Sequence, residues 1–229
     1  MEKIAHNISL PAFERKLISL GVPIKDWTSG TKDIADLHKE VRSGISEIIL
    51  YESAEGEVSP ERNVPSVVID VCRTVRNGLE KLYEKTRFIK GVEKPPRTAH
   101  SLSGKIRPNE RRREAATRCL EEKLGFGPFI FAESLADRSP LESAMLLLKS
   151  GEASKSYILT RVHMYESDDH TSFPGLPTLR ELHLYLCLVP EATHRRKTHV
   201  RTYGSKRTLY EWIKLEPNKS AYLWTPPGS

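Results

Sequence analysis

The stretch from Gly104 to Phe126, "GKIRPNERRREAATRCLEEKLGF", limits the possible folds more than any other part of the chain. Gly104 and Pro108 fix a turn, and from about Arg111 small and apolar residues recur at helical spacing, with Ala115, Ala116, Leu120 and Leu124 on one side. Gly125 follows at once and suits a left-handed helix cap. On another side Arg118 and Glu122 stand four apart on one face, with Cys119 three before Glu122. The segment predicts a turn, a helix whose alanines let it lie close to a sheet, and a second turn.

Around this helix the periodicity changes twice. "PAFERKLISL" (11–20) and "TKDIADLHKEVR" (31–42) repeat apolar residues at helical spacing, with Ser9 as a candidate N-cap and Gly21 as a stop. "SEIILYES" (46–53) and "VPSVVIDVCRTVRNG" (64–78) are β-branched or alternating, as strands are, and residues 54–65 between them predict a loop. "LEKLYEKTRFI" (79–89) reads as a strand after an Asn-Gly turn, and "KGVEKPPRT" (90–98) as a loop. Beyond the central helix, "GPFIFAESL" (127–135), "KSYILTRVHMYES" (155–167), "LRELHLYLCLVP" (179–190) and "YEWIKL" (210–215) predict strands. "SPLESAMLLLKSG" (139–151) suits a helix or an apolar strand edge. Two helices followed by a mixed sheet with one interrupting helix predict an α+β or α/β class. Residues 1–45 form a helical N-terminal extension too short to stabilise itself, and 46–229 the main domain.

Composition narrows the function classes. The chain has 229 residues, 38% hydrophobic and 29% charged, which is ordinary globular usage with room for one substantial core. No apolar run is long enough to span a bilayer. The first residues match neither a secretory signal nor, with Glu2 and Glu14, a clean mitochondrial presequence, so an intracellular, cytoplasmic location is expected, with a mitochondrial one as the alternative. Cys72, Cys119 and Cys187 are widely spaced and read as reduced thiols. A net charge of +6 favours phosphorylated or polyanionic partners and no membrane.

The spacing of the central segment resembles a Nudix box: a glycine, five residues, a glutamate, seven residues, then Arg-Glu-apolar-x-Glu-Glu-x-Gly-apolar. Gly104, Glu110, Arg118, Leu120, Glu122, Gly125 and Phe126 all fall in register. The lead-in containing Lys105 is similar to the G-G-K entry of many members, and "MYESDDHTSFPGLPTLRELHLYLCLV" resembles the region C-terminal to the box in some large Nudix-like proteins. The resemblance implies an α/β/α sandwich with a mixed sheet, a nucleoside-diphosphate-type or other pyrophosphate ligand, and Mg²⁺ or Mn²⁺. It also implies that Glu110 and Arg118 brace the loop against the helix and that Glu122 is a metal ligand. Lys105, Arg118 and Lys123 then become candidate ligand-binding residues.

Two departures stand where the resembling family keeps carboxylates: Cys119 and Lys123. Mg²⁺ prefers hard oxygen donors, and an ammonium 4 Å from a cation costs about 4 kcal/mol at an effective dielectric of 20. Glu121 is turned away by the helical step of about 100°. Asp168 and Asp169, in the loop "ESDDH" (166–170), are the spare acids that can supply a base or oxygen ligands; the alternative is a polar surface turn. Lys123 can instead contact phosphate itself, or serve as a helix-end lysine favourable to the dipole. Cys119 reads as a packed thiol rather than a nucleophile. The eight histidines show no metal-ligand spacing, and His183 and Tyr185, alternating with leucines, line a pocket or meet water. The basic run 194–207 reads as a charged hairpin loop, with phosphorylated, protein or RNA partners open. Three readings result: a weak or rerouted pyrophosphohydrolase, a catalytically silent Nudix-type fold that binds a phosphorylated ligand, and a structural subunit for a protein or RNA partner.

Overall fold

The structure is a computed structural model that describes residues 2–27, 32–75, 78–95, 101–132, 142, 145–146, 156–168, 173–189, 198–203 and 206–215. Among these residues it is a mixed sheet with three α-helices, an α+β architecture. The chain forms two compact units. Unit 1 takes Met1–Ser66, Lys105–Glu110 and Glu166–Leu182, and unit 2 takes Val67–Gly104, Arg111–Tyr165 and His183–Ser229.

In unit 1, helices α1 (Leu10–Ser19) and α2 (Ile34–Arg42) form where the apolar spacing predicts them. Asp33 caps α2 by accepting the Asp36 N–H at 2.8 Å. Phe13, Leu17, Leu37 and Val41 are fully buried, which is worth roughly 1.5–3 kcal/mol for each side chain. They meet Ile48 and Leu50 of a strand and Phe173 and Leu176 in one core. The strands are β1 (Glu2–Lys3), β2 (Glu47–Glu52) and β3 (Val58–Asn63), paired antiparallel in that order. β3 pairs in parallel with the first residues of β10 (Thr178–Val189).

β3 corrects the loop expected over 54–65. Its sequence, "VSPERN", has no apolar alternation because one inward position is Pro60 and the other Arg62, a guanidinium only 1% exposed. Arg62 is tolerated there because Nη2 reaches Glu40 Oε2 at 2.5 Å. Burial alone would raise the Glu40 carboxyl, yet Lys105, Lys32 and Arg62 hold it down at about 2, against an ordinary 4.5. A depressed carboxylate contributes stability above its unfolded value and loses it as pH falls toward the folded value. Acid denaturation of the wild type is therefore expected to steepen between pH 4.5 and about 2. In Glu40→Gln, followed by circular dichroism, that component should vanish.

In unit 2, β4 (Ser66–Val75) and β5 (Gly78–Ile89) form the predicted hairpin, with Val75 opposite Gly78. β5 pairs antiparallel with β12 (Lys206–Lys214), and β12 with β11 (Thr198–Tyr203). β6 (Val92–Lys94) pairs with β5, and β7 (Leu102–Lys105) with β4. β8 (Phe129–Phe131) runs parallel to β9 (Tyr157–Asp168), which adjoins β10. Leu186 and Leu188 pack with Cys72, Ala132, Ile158 and Leu215 on one side of the sheet. Ser101 ties β7 in: its hydroxyl donates to the Leu82 carbonyl and accepts the Val71 N–H at 2.9 Å.

Two further loops turn out to be strands. β6 forms within 90–98 and β11 within the basic run, because backbone pairing with β5 and β12 outweighs weak intrinsic preference. His183 and Tyr185 are 0% and 4% exposed, which excludes the alternative that they meet water, and Arg112 Nε donates to His183 Nε2 at 2.8 Å. The helix-or-edge reading of 139–151 lies outside the described residues except at 142 and 145–146. No helix among the described residues is long and apolar enough to cross a membrane.

Candidate functional site

Helix α3 (Arg112–Leu124) organises the site in unit 2. Its first turn is closed by a capping pair in which the Arg111 N–H donates to Glu114 at 3.0 Å. Its last turn ends on Gly125, left-handed at φ 72°. Ala115, Ala116, Leu120 and Leu124 are buried, as the spacing predicts.

The alanines bring α3 close to β7. A Cβ built on Gly104 would lie 2.2 Å from Cys119 Sγ, so the glycine is required by the thiol beneath it. Cys119 is fully buried and packed, and faces Gly104 rather than an open site. One turn later the Lys123 ammonium donates to the Ser103 carbonyl. Glu122 accepts from Arg118 Nη1 at 3.4 Å, the pair their four-residue spacing allows. Glu110, in unit 1, accepts the Arg107 N–H at 2.8 Å and returns its own N–H to the Arg107 carbonyl at 3.1 Å, which closes the turn after β7.

Ser103, Glu122 and Lys123 border a cavity of about 140 Å³ together with Glu84, Arg201, Lys206 and Tyr210. Among the described residues, three cations and two carboxylates line it. Sequence reasoning missed Glu84, Thr208 and Tyr210, and had Arg201 and Lys206 only as members of the basic run 194–207. They arrive through the pairing of β5, β12 and β11, and the only advance signal was the excess of basic residues around 201–207. Arg201 also lies against Gly125, its Nη1 3.1 Å from where a Cβ would stand, but that exposed side chain can shift, so it is the positive φ that calls for glycine here.

Next to the cavity, Phe126 stacks on Tyr157 with ring centroids 4.6 Å apart and meets the His199 edge at 5.8 Å. Burial, reinforced by the Arg201 guanidinium, pushes His199 below the usual histidine range against the opposing hydrogen bond to the Leu124 backbone. At neutral pH it is a neutral packing partner.

The remaining sequence candidates fall elsewhere. Lys105 belongs to unit 1, where its Nζ sits 2.6 Å from Glu40. Asp168 is the last residue of β9, its side chain outside the described part, and Asp169 and His170 lie outside the described residues.

The donors offered by α3 do not fit a divalent-metal centre. Of the three positions in question, one holds a thiol turned into packing and one an ammonium already on a carbonyl oxygen, while Mg²⁺ and Mn²⁺ need several oxygen ligands. Among the described residues, no three His, Cys, Asp or Glu side chains gather closely enough to hold a metal ion.

No family model matches the chain, and no curated protein matches it. Among solved structures, C. elegans Ap4A hydrolase and a binary complex of C. elegans Ap4A hydrolase are similar, each at 15% identity over 68% of this chain and 83% of theirs, with TM-scores of 0.32 and 0.35.

Proposed function

We propose that the chain is a Nudix-like protein of the α/β/α sandwich type with a degraded box, and that it binds a phosphorylated small molecule of the nucleoside-diphosphate class without a metal. The observation that carries this reading is the Lys123 ammonium at the cavity wall, fixed on the Ser103 carbonyl at a position where the resembling family keeps a carboxylate. A fixed ammonium supplies in place the positive charge that a divalent ion would otherwise bring to a phosphate. Arg201 and Lys206 enlarge that field. A volume of about 140 Å³, close to that which admits a benzene-sized guest, has room for a phosphoryl group.

Calorimetry with ADP and with pyrophosphate, in chelator and again in Mg²⁺, tests the reading. Binding in chelator is expected for the wild type, with at least a tenfold loss, roughly 1.4 kcal/mol, in Lys123→Glu. Binding that appears only with Mg²⁺ would sink it. So would metal-dependent phosphate release that is abolished in Glu122→Gln, or in Asp168→Asn with Asp169→Asn, since those residues would then be the catalytic acids of a working hydrolase.

A second reading, a silent subunit for an RNA or protein partner, is favoured by the exposed Arg201, Lys206 and Arg207 on the β11–β12 hairpin. Its mark is binding of single-stranded RNA that weakens steeply with salt and persists in Lys123→Glu.

A further inference from the structure

The three arginines that open α3 do not share one fate. Arg112 is taken up by β10, its Nε donating to His183 Nε2 at 2.8 Å, whereas Arg111 and Arg113 border a cleft of about 350 Å³. Among the described residues the cleft is lined by these two with Glu114, Thr117 and Phe131, all of unit 2, and it shares none of them with the cavity beside Lys123. Its volume is more than twice the roughly 150 Å³ that holds benzene and falls within the range of about 300–1,000 Å³ usual for small-molecule sites.

The chemistry of the wall is specific. The Arg113 guanidinium carbon stands over the Phe131 ring, 3.6 Å from its centre, the separation of flat groups lying face to face. An edge-on guanidinium at that distance would drive a nitrogen into the ring. Neither Arg111 nor Arg113 forms an ion pair among the described residues. Glu114 does not neutralise them: its Oε2 accepts the Arg111 backbone N–H at 3.0 Å. Thr117 donates its hydroxyl to the helix carbonyls of Arg113 and Glu114 at 3.3 and 2.9 Å, so donors for an anion come from the two guanidinium groups.

We propose that this cleft is a ligand site separate from the Lys123 cavity, and that it takes a flat aromatic monocarboxylate. The ring extends the stack that Arg113 begins on Phe131, and the carboxylate meets the Arg111 fork, whose geometry it matches with two oxygens. Glu114 on the same wall selects against a phosphoryl group, which brings up to two negative charges where a carboxylate brings one. The volume leaves room for a ring as well as the charged group, so a bare ion does not fill it.

Benzoate, cyclohexanecarboxylate and phenyl phosphate are titrated by ligand-observed NMR, at constant ionic strength, into the full chain carrying Lys123→Met, Arg201→Met and Lys206→Met, which removes the cations of the other cavity. Saturable binding of benzoate is expected, at least fivefold tighter than that of the puckered acid or the phosphate ester. Arg111→Met weakens it at least tenfold, and Arg113→Lys, which keeps the charge but loses the flat face, abolishes the preference for benzoate over cyclohexanecarboxylate. Arg111→Met retains the backbone N–H that Glu114 caps, and both arginines are exposed. Circular dichroism checks every fold, and the two arginine variants are repeated with both carboxylates in the chain with Lys123, Arg201 and Lys206 intact, so the result does not hang on the triple background. No saturable binding of benzoate, equal affinity for the two carboxylates, or affinity indifferent to Arg111→Met overturns the proposal. So does benzoate binding that is lost in a folded chain without the three cations of the Lys123 cavity. Any of these leaves the phosphate reading of that cavity standing, because its test is Lys123→Glu with Arg111 and Arg113 intact.

Discussion

Asp70→Asn is expected to lower the stability of the protein by about 3–5 kcal/mol in urea denaturation, because it leaves a buried ammonium without its counter-charge. Asp70 and Lys81 face each other across the β4–β5 hairpin with Nζ 2.7 Å from Oδ1, and their side chains are only 1% and 4% exposed. The Lys81 ammonium also lies 5.1 Å from the Tyr83 ring centre, and burial together with the charge of Asp70 pushes the neighbouring Cys72 thiol up. The cost belongs to the orphaned partner rather than to the pair, so Asp70→Leu with Lys81→Met should recover most of the loss. A loss below about 1 kcal/mol in Asp70→Asn, the range of an ordinary substitution, would show that water reaches Lys81 and relieves it.

The second large effect is steric. Gly104→Ala places a methyl 2.2 Å from Cys119 Sγ, a separation that no packing tolerates, and α3 or β7 must move. Overpacking of this kind costs about 1–3 kcal/mol. Cys119→Ala removes the sulfur and leaves the old Cβ at 3.8 Å, an ordinary contact. The double variant should therefore be more stable than the sum of the singles by more than about 0.5 kcal/mol, the usual additivity error. Strict additivity in thermal melts would mean that the helix and the strand are not in contact through these two residues.

The same pair shows what could be read in advance. Gly104, Leu120, Leu124 and Gly125 declare themselves locally, because helical period and glycine punctuation are properties of neighbouring residues, and the helix forms within a residue of its expected limits. Cys119 was legible as a packed thiol, but not its partner: only the approach of α3 to β7 shows that it fills the space a Cβ at 104 would take. β3 was illegible for a different reason. Its inward residues are Pro60 and Arg62, and Arg62 looks like a surface residue until Glu40 is beside it. The cavity was half legible. Glu122 and Lys123 come from the helix that the sequence announces, whereas Arg201, Lys206 and Tyr210 depend on β12 finding β5 from more than a hundred residues away, in a register that shifts between Leu209 and Tyr210. No periodicity within a short window encodes such a pairing.

The hydroxyl of Ser101 has one more consequence. The paired register of β4 with β5 runs from Cys72 opposite Lys81 to Val75 opposite Gly78, and β7 also pairs with β4, so the sheet branches. At the branch a single side chain, not a backbone ladder, holds the Val71 amide and the Leu82 carbonyl. Deuterium uptake at the Val71 amide therefore reports the hydrogen bond held by the Ser101 hydroxyl rather than a rung of a backbone ladder.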